Sequence, residues 1–375
     1  MPDTVEIGLG RSARRGYHLD ELALLPTRRT RGSTVVSTTW QIDAHSFEIP
    51  LIAAPSDAVV SPSTAVEIER LGGLAVLDGE GLWTRYDDAD AQLATLGDST
   101  DALQKAYAQP VSVDLLRRRI GELRDGGVRV AVRLSPQHTA ELAPHAVAEG
   151  VDLLIIQGTV ISADHVAAKD TGTRELNLTT FIASLDVPVV VGGCADYQTA
   201  LHLMRTGAAG VIVGYGAHYG STTHLALGID VPMATAIVDA AAARRDYLDE
   251  TGGRYVHLIA YGDLSTGGDI AKALACGADA VMLGHALASA TQAPGRGRYW
   301  DSTASHPRVP RSEVFDVAAS EAGPVSLQEL LHGPATDATG QRNLFGSLHR
   351  VMGKCGYSSL KEFQKAGLIL HSGRA

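Results

Sequence analysis

The chain has 375 residues, of which 45% are hydrophobic, so it can form one large barrel or two ordinary domains with a sizeable core. Its formal net charge of -10 argues against nucleic acid as the main partner, because phosphate binding favours clustered Lys and Arg. The basic run at 27–31 is the local exception, and a solvated surface loop is favoured there over an anion site.

The three cysteines, Cys194, Cys276 and Cys355, are odd in number and widely spaced. They do not resemble a disulfide framework or a metal-ligand pattern, and they suit a reducing compartment. The first residues lack a basic segment followed by an apolar run, and no window of about 18 apolar residues occurs. We therefore expect a soluble cytoplasmic protein with no metal site and no membrane partner.

Short runs rich in Val, Ile and Leu recur at intervals that each leave room for one helix. Near-continuous apolar runs are typical of parallel strands covered on both faces. The eight predicted strands lie at 49–53, 74–77, 128–132, 151–156, 187–191, 210–213, 256–260 and 278–283. This alternation predicts an α/β fold, a TIM (β/α)8 barrel, and a doubly wound open sheet is the structural alternative.

The whole chain is interpreted as a single barrel domain with additions at both ends. Its predicted parts are a lead-in at 1–48, eight βα units at 49–292, a lid-like excursion at 293–340 and C-terminal helices at 341–375. The excursion is assigned because prolines and polar residues interrupt the βα rhythm there, and loops of that length are usually functional or disordered. The segment 233–251 has a helical apolar face and is followed by Gly252 and Gly253, which predict its end.

Glycines follow several of the strands, and in a barrel of this class the loops at these strand ends form the ligand site. The segment 214–232 has the layout of a catalytic loop, since its glycines allow close backbone approach to a ligand. Within it, the hydroxyls of residues 221–223 lie between His218 and His224, where no obvious nucleophile is present.

Four segments together resemble the IMP dehydrogenase and GMP reductase family. The segment 267–284 is similar to the family's phosphate-site helix and the strand after it, and 346–353 is similar to its C-terminal helix. The segment 213–232 resembles the loop of the catalytic cysteine, and 48–59 resembles the first strand. The resemblance runs from about 17 to 370, and 78–129 is too short for the CBS repeats that many members carry. The chain therefore resembles the short, CBS-less branch.

The resemblance implies an NAD-dependent oxidoreductase that converts IMP to XMP in GMP biosynthesis and assembles as a homotetramer. A monovalent cation is an open alternative as a further cofactor. By the same register, the predicted catalytic residues are Ser221 and Thr223, and His218 is a candidate base because it is a neighbour in sequence, although a surface or hydrogen-bonding role is favoured for it. The predicted nucleotide-binding residues are Ala53, Ser56, Gly216, Tyr219, Tyr261, Gly262, Asp263, Gly284 and His285, and the predicted cofactor-binding residues are Gln157, Gly158 and Gly214.

Several of these positions depart from the family pattern. Ser221 stands at the place of the cysteine that attacks the purine, and serine is a poor nucleophile without an adjacent base. Tyr261 stands at the place of the carboxylate that holds the ribose. Tyr219 and His285 stand where the family has phosphate-binding serines, and a charged His285 would favour an anion. Gln157 stands where an aspartate contacts the nicotinamide riboside.

Two further features keep alternatives open. Cys194, after the fifth strand, could replace the nucleophile if its thiolate were stabilised, although a buried packing role is favoured. Arg298 and Tyr299 superficially resemble the family's water-activating pair, but they come too early in the excursion.

Two functions therefore stay open. The first is an oxidoreductase of the IMP dehydrogenase type, with an unchanged or altered substrate. The second is a non-catalytic or repurposed nucleotide-binding paralogue that regulates or partners a true dehydrogenase. A GMP reductase is a third, weaker alternative because its reaction uses the same cysteine.

Overall fold

Eight parallel strands close into a barrel in which each strand pairs with the next and the eighth pairs with the first. The computed structural model of the chain describes residues 4–158, 161–162, 176–215, 220–317 and 323–371. The predicted TIM barrel is confirmed. Its strands are β1 Leu51–Ala53, β2 Leu74–Asp78, β3 Ala131–Leu134, β4 Leu153–Gln157, β5 Val189–Cys194, β6 Gly210–Val213, β7 His257–Ala260 and β8 Ala280–Leu283.

Helices surround the barrel and cover the outer faces of the strands, which explains why the strand runs are almost entirely apolar. In the described residues these helices are α1 Pro62–Arg70, α2 Ala89–Thr95, α3 Thr100–Tyr107, α4 Val113–Asp125, α5 Thr139–Ala148, α6 Leu178–Ala183, α7 Tyr197–Arg205, α8 Thr223–Leu227, α9 Met233–Thr251, α10 Gly267–Ala275, α11 His285–Ala288, α12 Leu327–His332, α13 Leu344–Lys354 and α14 Leu360–Phe363. Short 3-10 turns lie at Leu19–Glu21, Ser33–Val35, Leu82–Thr84 and Ser302–Ser305.

Local capping explains several helix boundaries. Ser61 accepts a hydrogen bond from the amide of Thr64 and starts α1. Thr266 and Asp269 form a reciprocal capping box at the start of α10. Helix α9 spans the predicted 233–251 and ends at Gly252, whose φ of 68° is readily adopted by glycine.

Antiparallel strand pairs among the described residues lie outside the barrel, at Thr4–Gly8 with Arg11–Arg14, Trp40–Ile42 with His45–Phe47, Arg298–Tyr299 with Phe315–Asp316, and Leu22–Leu24 with Leu368–Leu370. The last pair differs from the prediction that the whole C-terminal region is helical. Leu368–Leu370 finds hydrogen-bonding partners in the lead-in, and this long-range pairing leaves no periodic signal in the local sequence.

The excursion after the barrel packs back onto the C-terminal ends of the strands. The Ser56 hydroxyl, just after β1, donates to the carbonyl of Trp300 at 2.8 Å. The Arg298 guanidinium donates to the carbonyls of Leu93 and Leu96, at 3.0 and 2.7 Å, and to Asp98 at 2.8 Å. These contacts place the segment 298–316 over one side of the barrel mouth.

None of the helices in the described ranges combines the length and apolar composition that crossing a membrane requires.

Candidate functional site

A cavity of about 620 Å³ opens at the C-terminal end of the barrel. Its walls come from the ends of β2, β3 and β4, from residues after β6 and β7, and from the excursion at 301–311. This is the end at which barrels of this architecture carry their ligand sites. The cavity is therefore the candidate site, and its lining is rich in charged and hydrogen-bonding side chains.

Charged residues follow β2 and β3 at one wall of the cavity. The Arg133 guanidinium donates to Asp78 at 3.2 Å and to the carbonyl of Gln157 at 3.0 Å. Burial raises the pKa of Asp78, and the charge of Arg133 opposes that effect. The Glu80 carboxylate accepts hydrogen bonds from Ser135 and contacts Nδ1 of His138 at 2.5 Å. This wall thus presents an ordered set of charged groups beside the cavity.

A buried carboxyl group, that of Asp57, lies behind this wall. Its Oδ2 accepts hydrogen bonds from the Tyr107 hydroxyl at 2.5 Å and from the amide of Leu82 at 2.9 Å. Tyr107 in turn accepts a hydrogen bond from the indole of Trp300 at 3.0 Å. Burial and the nearby charge of Asp78 raise the pKa of Asp57 to about 7. The chain therefore holds a carboxyl group that titrates near neutrality behind the site.

Gln157 and Gly158, both predicted to bind the cofactor, line the cavity. The Gln157 side-chain oxygen is buried and accepts no hydrogen bond from the residues that the structure describes. A buried acceptor without a donor is costly. A ribose hydroxyl or a carboxamide N–H of a dinucleotide would satisfy it, so this position fits such a cofactor.

Tyr261, predicted to bind the nucleotide, also lines the cavity. Its hydroxyl donates to Asp301 of the excursion at 3.2 Å, and burial raises its pKa well above the usual range. Asp301 therefore brings a carboxylate to the strand end where Tyr261 stands. Gly262 is buried, and Asp263 is half-buried with a φ of 53°, in the left-handed region.

Ser221 lies against the excursion at Arg311 and Ser312. Its hydroxyl donates to Thr223 Oγ1 at 3.0 Å and to the carbonyl of Arg311 at 3.4 Å. Gly220, with a φ of 80°, packs where a side chain would overlap the ring of Phe315. Among the described residues, no imidazole or carboxylate is hydrogen bonded to the Ser221 hydroxyl, and a serine nucleophile requires such a base.

Cys194 is fully buried at the end of β5. Burial raises the pKa of its thiol, which disfavours the thiolate. Both observations weigh against the prediction that Cys194 replaces the missing nucleophile, and they favour its packing role.

The remaining predicted positions fall into two groups. Ala53 and Ser56 are buried, and the Ser56 hydroxyl is engaged by Trp300 as described above. Gly214 and Gly284 lie where a side chain would overlap the Tyr261 carbonyl and the Tyr299 hydroxyl respectively. Glycine is thus required at both strand ends for close packing.

His285, predicted to bind the nucleotide, is half-buried at the start of α11. Burial lowers its pKa to about 4, so the imidazole is neutral at physiological pH. Its Nε2 lies 2.9 Å from the Ser265 hydroxyl. The attraction of a charged His285 for an anion stays a prediction.

Gly216, His218 and Tyr219 lie outside the described residues.

Sequence reasoning missed the charged wall made by Asp78, Glu80, Arg133 and His138. A signal was available, because these residues lie at or just after two adjacent predicted strands, whose carboxyl ends must meet at one end of a barrel. Arg298, by contrast, contacts carbonyls near α2, and Tyr299 packs against Phe315 with ring centroids 5.4 Å apart. Both residues lie near the start of the excursion.

A closed (β/α)8 barrel with a polar cavity at its C-terminal end defines a TIM-barrel protein built for ligand binding or catalysis. The model of the IMP dehydrogenase / GMP reductase domain matches residues 16–306. The chain belongs to this family, which is a family of oxidoreductases.

Similar proteins cover nearly the whole chain. An uncharacterized oxidoreductase of Mycobacterium tuberculosis is 55% identical over 98% of this chain and 99% of its own length. An uncharacterized oxidoreductase of Mycolicibacterium smegmatis is 54% identical over 98% of this chain and 100% of its own length. The crystal structure of an IMP dehydrogenase/GMP reductase-like protein from Corynebacterium glutamicum superposes with a TM-score of 0.92, with 51% identity and 98% coverage of both chains.

An inosine-5'-monophosphate dehydrogenase of Haemophilus influenzae is 37% identical, but only over 39% of this chain and 27% of its own length.

Proposed function

We propose that the chain is an NAD-dependent oxidoreductase that binds a purine nucleotide in the cavity at the barrel mouth, with IMP as the first substrate to test. Family membership supports the reaction class. The observation that carries the proposal is the Gln157 side-chain oxygen, a buried acceptor at the cavity wall without a donor among the described residues. A nucleotide cofactor supplies such donors and, when bound, accepts a hydride.

The residues of the chain itself have separable roles in this proposal. Gln157 and Gly158 bind the cofactor, and Tyr261 with Asp301 contacts the ribose of the substrate. The excursion at 301–311 lines one side of the cavity and would limit the access of water to a bound ligand, which strengthens polar contacts there. The oxidation of IMP to XMP, the tetrameric assembly, the cytoplasmic location and the monovalent cation stay predictions.

A second candidate is a nucleotide-binding protein without turnover. Ser221 favours it, because the hydroxyl is held by Thr223 and the Arg311 carbonyl and contacts no described base. The same cavity would then bind a nucleotide as a regulatory ligand or as part of a contact with a true dehydrogenase.

The test is to follow NADH absorbance when the purified protein is mixed with IMP and NAD, and to measure the binding of IMP, GMP and NAD by calorimetry. We expect NADH formation by the wild type. Because the resemblance implies that Ser221 stands at the position of the catalytic cysteine, a catalytic role of its hydroxyl predicts loss of NADH formation in Ser221→Ala. Ser184→Ala, an exposed serine at the end of α6, is the matched control and should keep full activity.

Unchanged turnover in Ser221→Ala would contradict the role of that hydroxyl. Nucleotide binding without turnover would favour the second candidate, and the absence of nucleotide binding would contradict both.

A further inference from the structure

Glu80 and His138 form a hydrogen-bonded pair at the wall of the candidate cavity. Glu80 lies two residues after β2, and His138 lies just before α5, which follows β3. Strands β2 and β3 are neighbours in the barrel, so two residues that are far apart in sequence meet at its mouth. Both residues line the cavity.

The Glu80 carboxylate is held in place from several sides. Its side chain is only 9% exposed, and it accepts hydrogen bonds from the amide and, at 3.0 Å, the hydroxyl of Ser135. Its Oε2 lies 2.5 Å from His138 Nδ1. The amide of Glu80 donates to Asp78 Oδ1 at 3.0 Å, which fixes the backbone as well. The carboxylate is thus a rigid acceptor for one nitrogen of the imidazole.

This contact determines which nitrogen of His138 is basic. When Nδ1 donates its proton to Glu80, the neutral imidazole carries its lone pair on Nε2. The His138 side chain is 53% exposed, and its hydrogen bonds with the described residues are made at Nδ1. Within the described part of the chain, Nε2 is thus available as a base on a ring that lines the cavity and is oriented by a carboxylate, which is the arrangement of a general base and its orienting group.

A purely structural role does not account for the ring. His138 is the N-cap residue of α5, but its side chain accepts no capping hydrogen bond. The amides of His138 and Thr139 donate to the carbonyl of Ser135 instead, at 3.2 and 3.0 Å. The imidazole is also too exposed to fill the core. Its contact with Glu80 leaves the ring projecting at the cavity wall.

The surrounding charges favour a protonatable imidazole. The hydrogen bond to Glu80 raises the pKa of His138, Glu141 on α5 raises it further, and burial and Arg85 oppose this. Burial raises the pKa of Glu80, but the hydrogen bond from His138 and the charge of Arg133 lower it to about 2. Arg311 of the excursion lines the same cavity. Glu80 therefore stays ionised while His138 gains and loses a proton.

We propose that His138 is the proton-transfer residue of the cavity and that Glu80 is its positioning residue. This inference rests on the proposed function, because the group that gives up the proton is a hydroxyl or an acidic ring N–H of a purine nucleotide. In the step, the O–H or N–H bond of the ligand breaks, and a new N–H bond forms at Nε2. The ligand keeps the electron pair, and the imidazolium keeps its Nδ1 hydrogen bond to Glu80.

Nitrogen NMR of the full chain labelled at histidine tests the pair directly. The His138 signal is identified by its loss in His138→Gln, and in the wild type it should show a proton on Nδ1. Glu80→Gln should lower the pKa of His138, because the negative charge that favours the imidazolium is removed. Glu141→Gln, on α5, is the matched control and should lower the pKa of His138 less. An unchanged titration in Glu80→Gln would overturn the inference.

Addition of IMP tests the contact with ligand. We expect the His138 Nε2 signal to move toward the protonated value at a pH above the pKa of the free protein. If NADH forms, His138→Gln should lower kcat by about 10²–10⁴-fold, and Glu80→Gln should shift the pH profile of kcat. His145→Gln, on α5, is the control and should change neither kcat nor its pH profile.

The outcomes separate the two proposals. If IMP binds or is oxidised while the His138 signal stays unchanged, this inference is overturned and the proposed function stands. If no nucleotide binds, both are overturned.

Discussion

Asp57 is a buried carboxyl group whose Oδ1 accepts no hydrogen bond from the described residues. Its Oδ2 accepts two hydrogen bonds, but these do not offset the cost of burial and of the neighbouring Asp78 charge, which raise the pKa of Asp57 to about 7. The group is therefore neutral in the folded protein under mildly acidic conditions, while it ionises in the unfolded chain near pH 4.

This difference predicts how stability depends on pH. A carboxyl group with a raised folded-state pKa favours the folded state most below its unfolded pKa, and this contribution is lost as pH rises from about 4 to about 7. The full difference in the pKa of Asp57 corresponds to a loss of stability on the order of 4 kcal/mol. Asp57→Asn keeps an acceptor for Leu82 and Tyr107 but cannot ionise. The free energy of unfolding of this variant should therefore fall less than that of the wild type as pH rises from about 4 to about 7.

Urea unfolding at pH 5 and pH 8 measures the effect on the free energy of unfolding. The exposed Asp125→Asn should follow the wild type. A pH dependence of Asp57→Asn equal to that of the wild type would show that the carboxyl group is already ionised in the fold.

The register of the family resemblance predicted Gln157 and Tyr261 as ligand-binding residues, and both line the cavity. The strand-end rule, applied to β2 and β3, would have found Glu80 and His138. Asp301 and Arg311 could not be found in this way, because they reach the cavity through the path of the excursion. That path depends on packing such as the contact of Ser56 with Trp300, which has no local sequence signal.

Arg298 is one of the side chains that hold the excursion to the barrel. Its guanidinium is hydrogen bonded to the end of α2 and to Asp98. A hydrogen bond to a charged group contributes about 1.5–3 kcal/mol. Loss of these bonds should therefore increase the open population of the segment 298–316 by roughly tenfold or more.

Arg298→Ala should accordingly be cut faster by chymotrypsin near Tyr299, Trp300 or Phe315. The cleavage rate of the native protein is the measurement, and Arg308→Ala, exposed on the same excursion, is the control. Equal cleavage of the wild type and Arg298→Ala would show that other contacts hold the excursion.

At the scale of elements, the eight strands and the helix at 233–251 were predictable because burial on both faces leaves apolar runs and because Gly252 ends the helix. The pairing of Leu22–Leu24 with Leu368–Leu370 was not predictable. Short edge strands carry little periodicity, and their existence depends on where two distant segments meet.

Asp279 lies at the end of the barrel opposite the cavity, where its side chain stabilises the fold. Its buried carboxylate accepts hydrogen bonds from Arg244, Tyr255 and the amide of Leu258, at 2.6, 2.7 and 2.8 Å. Lys361 and Gln364, on and next to α14, donate to the same carboxylate, at 2.7 and 3.1 Å. One side chain thus joins β8, α9 and the C-terminal region.

Asp279→Asn should lower the free energy of unfolding by about 3–5 kcal/mol, because it leaves the buried Arg244 without its counter-charge. Burial raises the pKa of Asp279, but Arg244 and Lys361 lower it below its usual range. The stabilisation that Asp279 gives the wild type should therefore be present above about pH 4 and lost as pH falls.

Urea denaturation of Asp279→Asn and of the exposed Asp249→Asn, on α9, checks this prediction. A difference from wild type of less than about 1 kcal/mol in Asp279→Asn, the range of a surface ion pair, would contradict it.

The closure of β8 onto β1 also has a consequence for synthesis on the ribosome. Strand β1 can pair with β2 early, but its other edge stays open until β8 emerges, after six intervening strands. During that interval, the apolar β1 edge is a template for wrong pairing with other chains. The growing chain should therefore depend on chaperones more than its finished stability would suggest.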